Sequence, residues 1–263
     1  MAEAVPRKRH WIILLAVFLI LAASLTGIAW LWEQHTRQGE QHDYTYEVVV
    51  SFNTTIENVT LLLPVPERKG SPFLVDVLVN GTGYGVPPDW NLSIEEGNGT
   101  PMLAIRAGVM VPEYRAYPVP VEPGKGPLPM TLPPGTEYSS ERPVLIPVVM
   151  TVMISGDHTI DTRDPVIGEP VFGHEGPFFP GTVATPVSGG SVYVHAVPVY
   201  VRFISDHPAT LSLQTKVQGV NSIWRGGWVF NLYTDTVTLE VRNSTQGWLE
   251  GEGILLAGEG VYY

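Results

Sequence analysis

The chain predicts an all-β ectodomain, an antiparallel β-sandwich in one lobe or two, carried behind one N-terminal transmembrane helix. Three observations point there. Trp11–Trp32, WIILLAVFLILAASLTGIAWLW, holds 22 residues without a charge. Beyond it, apolar residues recur with period two in run after run, and no useful 3.6-residue period follows. The 27 Gly and 24 Pro are dense enough to break long helices and favour a loop-rich β fold.

As a helix, the uncharged run would rise about 33 Å, enough to cross a bilayer's hydrocarbon core. Arg7, Lys8 and Arg9 precede it, and Glu33, Gln34 and His35 follow. The positive-inside bias then makes residues 1–10 a cytoplasmic basic tail and 11–32 a signal-anchor in the cell membrane. Residues 33–43 become a polar stalk, or further helical turns, and 44–263 an extracellular domain. Trp11, Trp30 and Trp32 stand at the two ends of the run, where interfacial aromatics belong. A signal peptide cut after Ala29, at the small-x-small triplet Gly27-Ile28-Ala29, is the competing reading, and it exports the same domain. A filament (pilin-like) subunit would place Gly or Ala after a basic residue just before the run; the chain has Arg9-His10-Trp11 instead.

No Cys occurs, which excludes disulfides, thiolate ligands and a Cys nucleophile, so an exported domain of this size must rely on its core. Setting aside Glu3, Arg7, Lys8 and Arg9 leaves 12 basic against 25 acidic residues outside. That balance opposes binding to nucleic acid. Asn-x-Ser/Thr triplets occur at Asn53, Asn58, Asn80, Asn91, Asn98 and Asn243, leaving only Asn221 and Asn231 outside the pattern. Six of eight far exceeds chance, so these are expected N-glycosylation acceptors. Acceptors, export and absent cysteines together suit an archaeal cell-surface protein.

Along the chain, Tyr44, Tyr46, Val48, Val50 and Phe52 alternate as one face of a strand, and Val59–Pro64 reads as its partner across a turn. Phe73–Val79 alternates too, with Asp76 outward, and Asn80-Gly81 marks a turn. Met102–Ala107 is a shorter strand. Nine prolines between Val111 and Pro143 forbid a central strand or helix there, giving a surface excursion or a linker. Val144–Ile154 reads as a strand buried on both faces and bent at Pro147. A Gly/Pro-rich loop covers Asp164–Gly190. The last third reads as strands: Val192–Ile204, then Leu211–Val217 alternating with polar residues, then Trp228-Phe230-Leu232, Val237-Leu239-Val241 and Trp248–Leu256.

Chemistry-bearing clusters are sparse. Asp157, Asp161 and Asp164 lie close together, but the spacing is not that of an EF-hand loop, and a polar turn is the expectation. His158, His174, His195 and His207 show no paired metal-ligand spacing, and His195 is expected as a hydrogen-bonded core histidine. Glu95-Glu96 and Glu250/Glu252 are paired carboxylates, and Glu250 and Glu252 share a strand face, yet their glycine-rich C-terminal edge is a poor place to bury and tune them. No catalytic motif, metal site or cofactor is expected. Trp224, Trp228 and Tyr233 form a candidate platform for a ligand. The expected function is a non-enzymatic structural or interaction role in the cell envelope, with the lipid bilayer as partner through Trp11–Trp32 and an envelope protein or glycan as a further one. A carbohydrate-binding module or adhesin and the filament subunit are the alternatives.

Overall fold

The computed structural model describes residues 7–37, 39–80, 83–115, 143–173, 175–181 and 190–258. Most of the Pro-rich excursion lies outside the described residues. Helix α1 (Arg7–Arg37) precedes β1 (Gln41–Phe52), β2 (Ile56–Pro64), β3 (Pro66–Arg68) and β4 (Ser71–Pro72). Helix α2 (Val75–Val79), β5 (Asn91–Gly97), β6 (Thr100–Met110), β7 (Glu113–Arg115), β8 (Val144–Ile146) and β9 (Val148–Ser155) follow. Then come helix α3 (Pro165–Gly168), β10 (Val171–Phe172), β11 (Glu175–Pro180) and four long strands: β12 (Ser191–Ile204), β13 (Thr210–Trp224), β14 (Trp228–Arg242) and β15 (Thr245–Ala257).

The protein is predominantly β, built on one antiparallel sheet in the order β5-β6-β2-β12-β15-β14-β13-β1-β9, with β11 added to β12. β13 and β14 pair along their whole length, from Thr210↔Arg242 to Trp224↔Trp228. β12 and β15 do the same, from Ser191↔Ala257 to Phe203↔Thr245. β14 and β15, however, meet only between Thr234↔Leu256 and Thr238↔Glu252. This short junction is a corner at which the sheet curls, so that its two leaves face one shared core. The expected sandwich therefore takes the form of a single curled sheet. Tyr44, Tyr46, Val48 and Val50 of β1 and Val197, Val199, Val201 and Phe203 of β12 are buried in one cluster. Each set is every second residue of its strand, as a pleated sheet with one wet face requires.

Several expectations change. β1 and β2 are not neighbours: β1 pairs with β13 and β9, and β2 with β12 and β6. The turn at Asn53 carries the chain from one leaf to the other. The alternating Phe73–Val79 is not a strand but holds α2, with Val75 and Leu78 buried at helical spacing. α2 packs against both β5 and β9, the two ends of the sheet, and this plugging position overrides the β-branched run's strand preference. The stretch 144–154 is broken at Pro147 into β8 and β9, as expected, but β9 is a terminal strand. Only Met150 and Val152 are buried on it, while Val149 and Met153 are exposed. On β14 the inward residues are Asn231, Tyr233, Asp235 and Val237, so Trp228 and Phe230 lie outside. The 164–190 loop contains α3, β10 and β11. β7 pairs with β8, which brings Arg115 opposite Val144 at the neck of the excursion.

α1 runs through the uncharged stretch and on to Arg37, so the expected stalk is helix up to that point, and its last residues, 41–43, belong to β1. The described side chains from Ile13 to Leu21 and from Ala23 to Ile28 are exposed. Among the described residues no helix is long and apolar enough to cross a membrane.

Candidate functional site

Residues 156–173 form a strap that leaves β9 and passes over the α1-proximal end of the inner sheet face. Gly156 N donates to His42 O at 2.6 Å at its start. Ile160 and Phe172 then deliver fully buried side chains to the core. Polar side chains projecting inward from the strands hold the strap down. Asn221 of β13 accepts from Ile160 N at 2.9 Å and donates to Ile160 O at 2.8 Å, which copies strand pairing with a side chain. It also donates to Asn231 Oδ1 at 2.8 Å and contacts His42 Nδ1 at 2.7 Å, so the amide is saturated. Further along β14, the Tyr233 hydroxyl donates to Pro170 O at 2.8 Å, and Asp235 accepts from Phe172 N at 2.9 Å. Asp235 also faces His195 Nε2 at 2.8 Å, which makes His195 the expected buried, hydrogen-bonded core histidine. Asn231, Tyr233 and Asp235 are successive inward positions at period two: Tyr233 and Asp235 bond the strap, and Asn231 braces Asn221.

A second knot lies beside it. The Tyr44 hydroxyl donates to Glu169 Oε2, and the other oxygen of this buried carboxylate accepts from Asp161 N at 2.9 Å. Arg68 Nη2 donates to His158 Nε2 at 2.7 Å, which leaves the imidazole proton on Nδ1, pointing at Asp157 Oδ1 2.8 Å away. That hydrogen bond holds the Asp157 carboxyl below its ordinary range. Burial, followed by the Glu169 carboxylate, pushes the Tyr44 hydroxyl far above its usual range, and burial does the same to Tyr233. Both oxygens of Glu169 and of Asp235 are engaged by partners in the fold. The arrangement fixes a loop over a core end, where unmet polar groups would be costly.

Asp157, Asp161 and Asp164 do not converge. Asp161 Oδ1 accepts from Arg163 N and Asp164 N, each at 3.1 Å, as an Asx turn does, while Asp157 faces His158. Among the described residues no three acidic or His side chains gather where an ion could sit; His174 is outside them. Glu250 and Glu252 are exposed on the outer face of β15. Glu95 makes a two-pronged pair with Arg106, which lowers its carboxyl's pKa. An open groove of about 540 Å³ is lined by Asn98, Pro198, Trp248 and Glu250 among others, with no buried ionisable side chain.

All six triplet asparagines, Asn53, Asn58, Asn80, Asn91, Asn98 and Asn243, are exposed. Asn221 and Asn231 are 1% and 4% exposed. Asn58, Asn98 and Asn243 have positive φ, a backbone state that Asn tolerates in tight turns. Asn53, Asn58 and Asn243 lie at the end of the sheet remote from α1: Asn53 accepts from Thr210 N, Asn243 N donates to Ala209 O, and the chain beside Asn58 pairs with Ile204.

Trp224 and Trp228 face each other across the tip of the β13–β14 hairpin, with ring centroids 5.7 Å apart and planes at 74°. Each is 56% exposed, and Phe230, on the same outer face, is 46% exposed. Tyr233 is not part of this patch. It is fully buried on the opposite face, because five residues from Trp228 is an odd number of strand steps. The strap fasteners Asn221, Tyr233, Asp235 and Glu169, with Asn231 bracing Asn221, were not singled out as a set by sequence. Strand parity counted back from Val237 would have placed three of them inward. No family model, curated protein or solved structure matches the chain.

Proposed function

We propose that the chain is a single-pass, membrane-anchored, N-glycosylated cell-surface protein with a non-enzymatic structural or interaction role in the cell envelope. The observation that carries the reading is the partition of the asparagines. The six in acceptor triplets are exposed and the two outside the pattern are buried. A glycan is bulky and hydrophilic, so it is compatible with every one of the six positions and with neither of the others. The uncharged run Trp11–Trp32 supports anchoring, since described apolar side chains along it such as Leu14, Phe18 and Leu25 are exposed. Three acceptors sit at the end of the sheet away from α1, where a glycan clears the bilayer. The Glu169 and Asp235 carboxylates, each with both oxygens engaged within the fold, support a structural rather than a catalytic use of these groups.

The test is expression of the full chain in a host that performs N-glycosylation. Glycosidase treatment should lower the apparent mass, six single Asn→Gln variants should each remove one glycan, and the protein should stay with the membrane through alkaline carbonate washing. A chain released by carbonate and bare at all six positions would overturn the reading.

A further inference from the structure

We infer that the tip of the β13–β14 hairpin, Trp224 to Phe230, seats its aromatic side chains in the headgroup interface of the bilayer that α1 crosses; this rests on the anchor reading of α1. β1 begins at Gln41, four residues after the last residue of α1, and Gln41 pairs with Ser222. Trp224 lies two positions further in the direction from which α1 arrives, so the hairpin projects past the start of β1 by about 7 Å. α1 and β13 are in contact. Register with β1 and the contact with α1 therefore place the tip beside the helix end.

Its chemistry fits that location. Trp224, Trp228 and Phe230 expose large apolar surface on one face, and Trp prefers the level of the headgroups, where the ring is buried and its N–H is wet. Trp224 and Trp228 are almost perpendicular, so they present no shared flat surface for a sugar ring to stack on. Gly226, with φ of 79°, makes the tight turn, and Gly226 and Gly227 keep the apex narrow. Arg225 stands exposed at that apex, between the two aromatic positions. The strap at the same end carries Asp157, Asp161 and Asp164, so a neutral bilayer suits this surface better than an anionic one.

Because the chain has no Cys, a single reporter thiol can be placed at will. Full-length Arg225→Cys, Leu19→Cys and Ser244→Cys would each be labelled with an environment-sensitive fluorophore and reconstituted into phosphatidylcholine vesicles containing lipids spin-labelled either near the headgroup or deep in the acyl chain. The label at 19 should be quenched by the deep probe, the label at 225 by the shallow probe, and the label at 244 by neither. Adding Trp224→Ala and Trp228→Ala should abolish quenching at 225 without lowering the melting temperature, since both side chains are exposed. A quenched label at 19 with a fully aqueous label at 225 overturns this inference and leaves the anchor standing, as would occlusion of 225 by added glycans alone. An unquenched label at 19 removes the anchor reading and this inference with it.

Discussion

Asn221 and Asn231 meet inside the curled sheet, the Nδ2 of Asn221 donating to the Oδ1 of Asn231 at 2.8 Å across the paired strands β13 and β14. The same Asn221 amide clamps both backbone polar groups of Ile160. Replacing Asn221 with Ala would leave Ile160 N, Ile160 O and the Asn231 carbonyl without this partner. The expected cost is about 2–4 kcal/mol, larger than a single hydrogen bond because several buried groups lose satisfaction at once. Chemical denaturation measures it, and limited trypsin digestion should show faster cleavage after Arg163 in the loosened strap. Unchanged stability with an intact strap would refute the anchoring role.

Two tyrosines on one strand should behave differently. Tyr44 donates to the buried Glu169 carboxylate, whereas Tyr46 donates to the backbone carbonyl of Pro64 at 3.0 Å. Tyr44→Phe should cost about 1.5–3 kcal/mol, as loss of a charge-assisted bond does, and Tyr46→Phe about 1 kcal/mol. Midpoints from denaturant titration of both variants give the order. The reverse order would count against the Tyr44–Glu169 bond as a principal fastening.

High pH should unfold the domain through these groups. Burial raises the hydroxyl pKa values of Tyr44, Tyr46 and Tyr233 in the folded chain. In the unfolded chain they titrate near pH 10. The folded state then binds more protons, so this contribution is complete below about pH 10 and is lost as pH rises above it. Absorbance at 295 nm, followed with far-ultraviolet circular dichroism, should show these tyrosinates appearing only as the sheet melts. Smooth titration of every tyrosine with the sheet intact would contradict the burial.

Gly219 gives a steric test of the same region. A Cβ there would lie 2.3 Å from Cε1 of Tyr233 and 3.0 Å from Cγ2 of Ile160. Gly219→Ala should therefore destabilise by about 1–3 kcal/mol through overpacking. Gly227→Ala, in open space at the hairpin tip, should change thermal stability by under about 0.5 kcal/mol.

The parts legible in the sequence were those in which hydrophobic alternation and burial agree. β1, the later half of β12 and the start of β13 carry their apolar residues inward at every second position. What escaped were places where another constraint won. Val75–Val79 looks like a strand, yet the gap between β5 and β9 takes it as a helical plug. On β14 the polarity is inverted, with aromatic Trp228 and Phe230 outside and Asn231 and Asp235 inside. Hydrophobicity misplaces such a strand, whereas parity places it correctly. The aromatic pair of the candidate site was visible in the motif Trp-Arg-Gly-Gly-Trp. The strap anchors were not, because each pairs with residues far away in sequence, as Tyr44 does with Glu169.

The short helix α2 has a consequence for how copies of this chain can associate. It packs on both β5 and β9, and Tyr84 exchanges two backbone hydrogen bonds with Thr151 on the open side of β9. Rows of unmet N–H and C=O groups at a sheet margin invite another chain to add a strand and propagate a fibre. Here α2 covers part of both margins, and Tyr84 takes one bridge position on β9 from within the same chain. Association between copies of this chain is thereby directed to faces and loops, and a polymer grown by strand addition at β5 or β9 would meet α2 first.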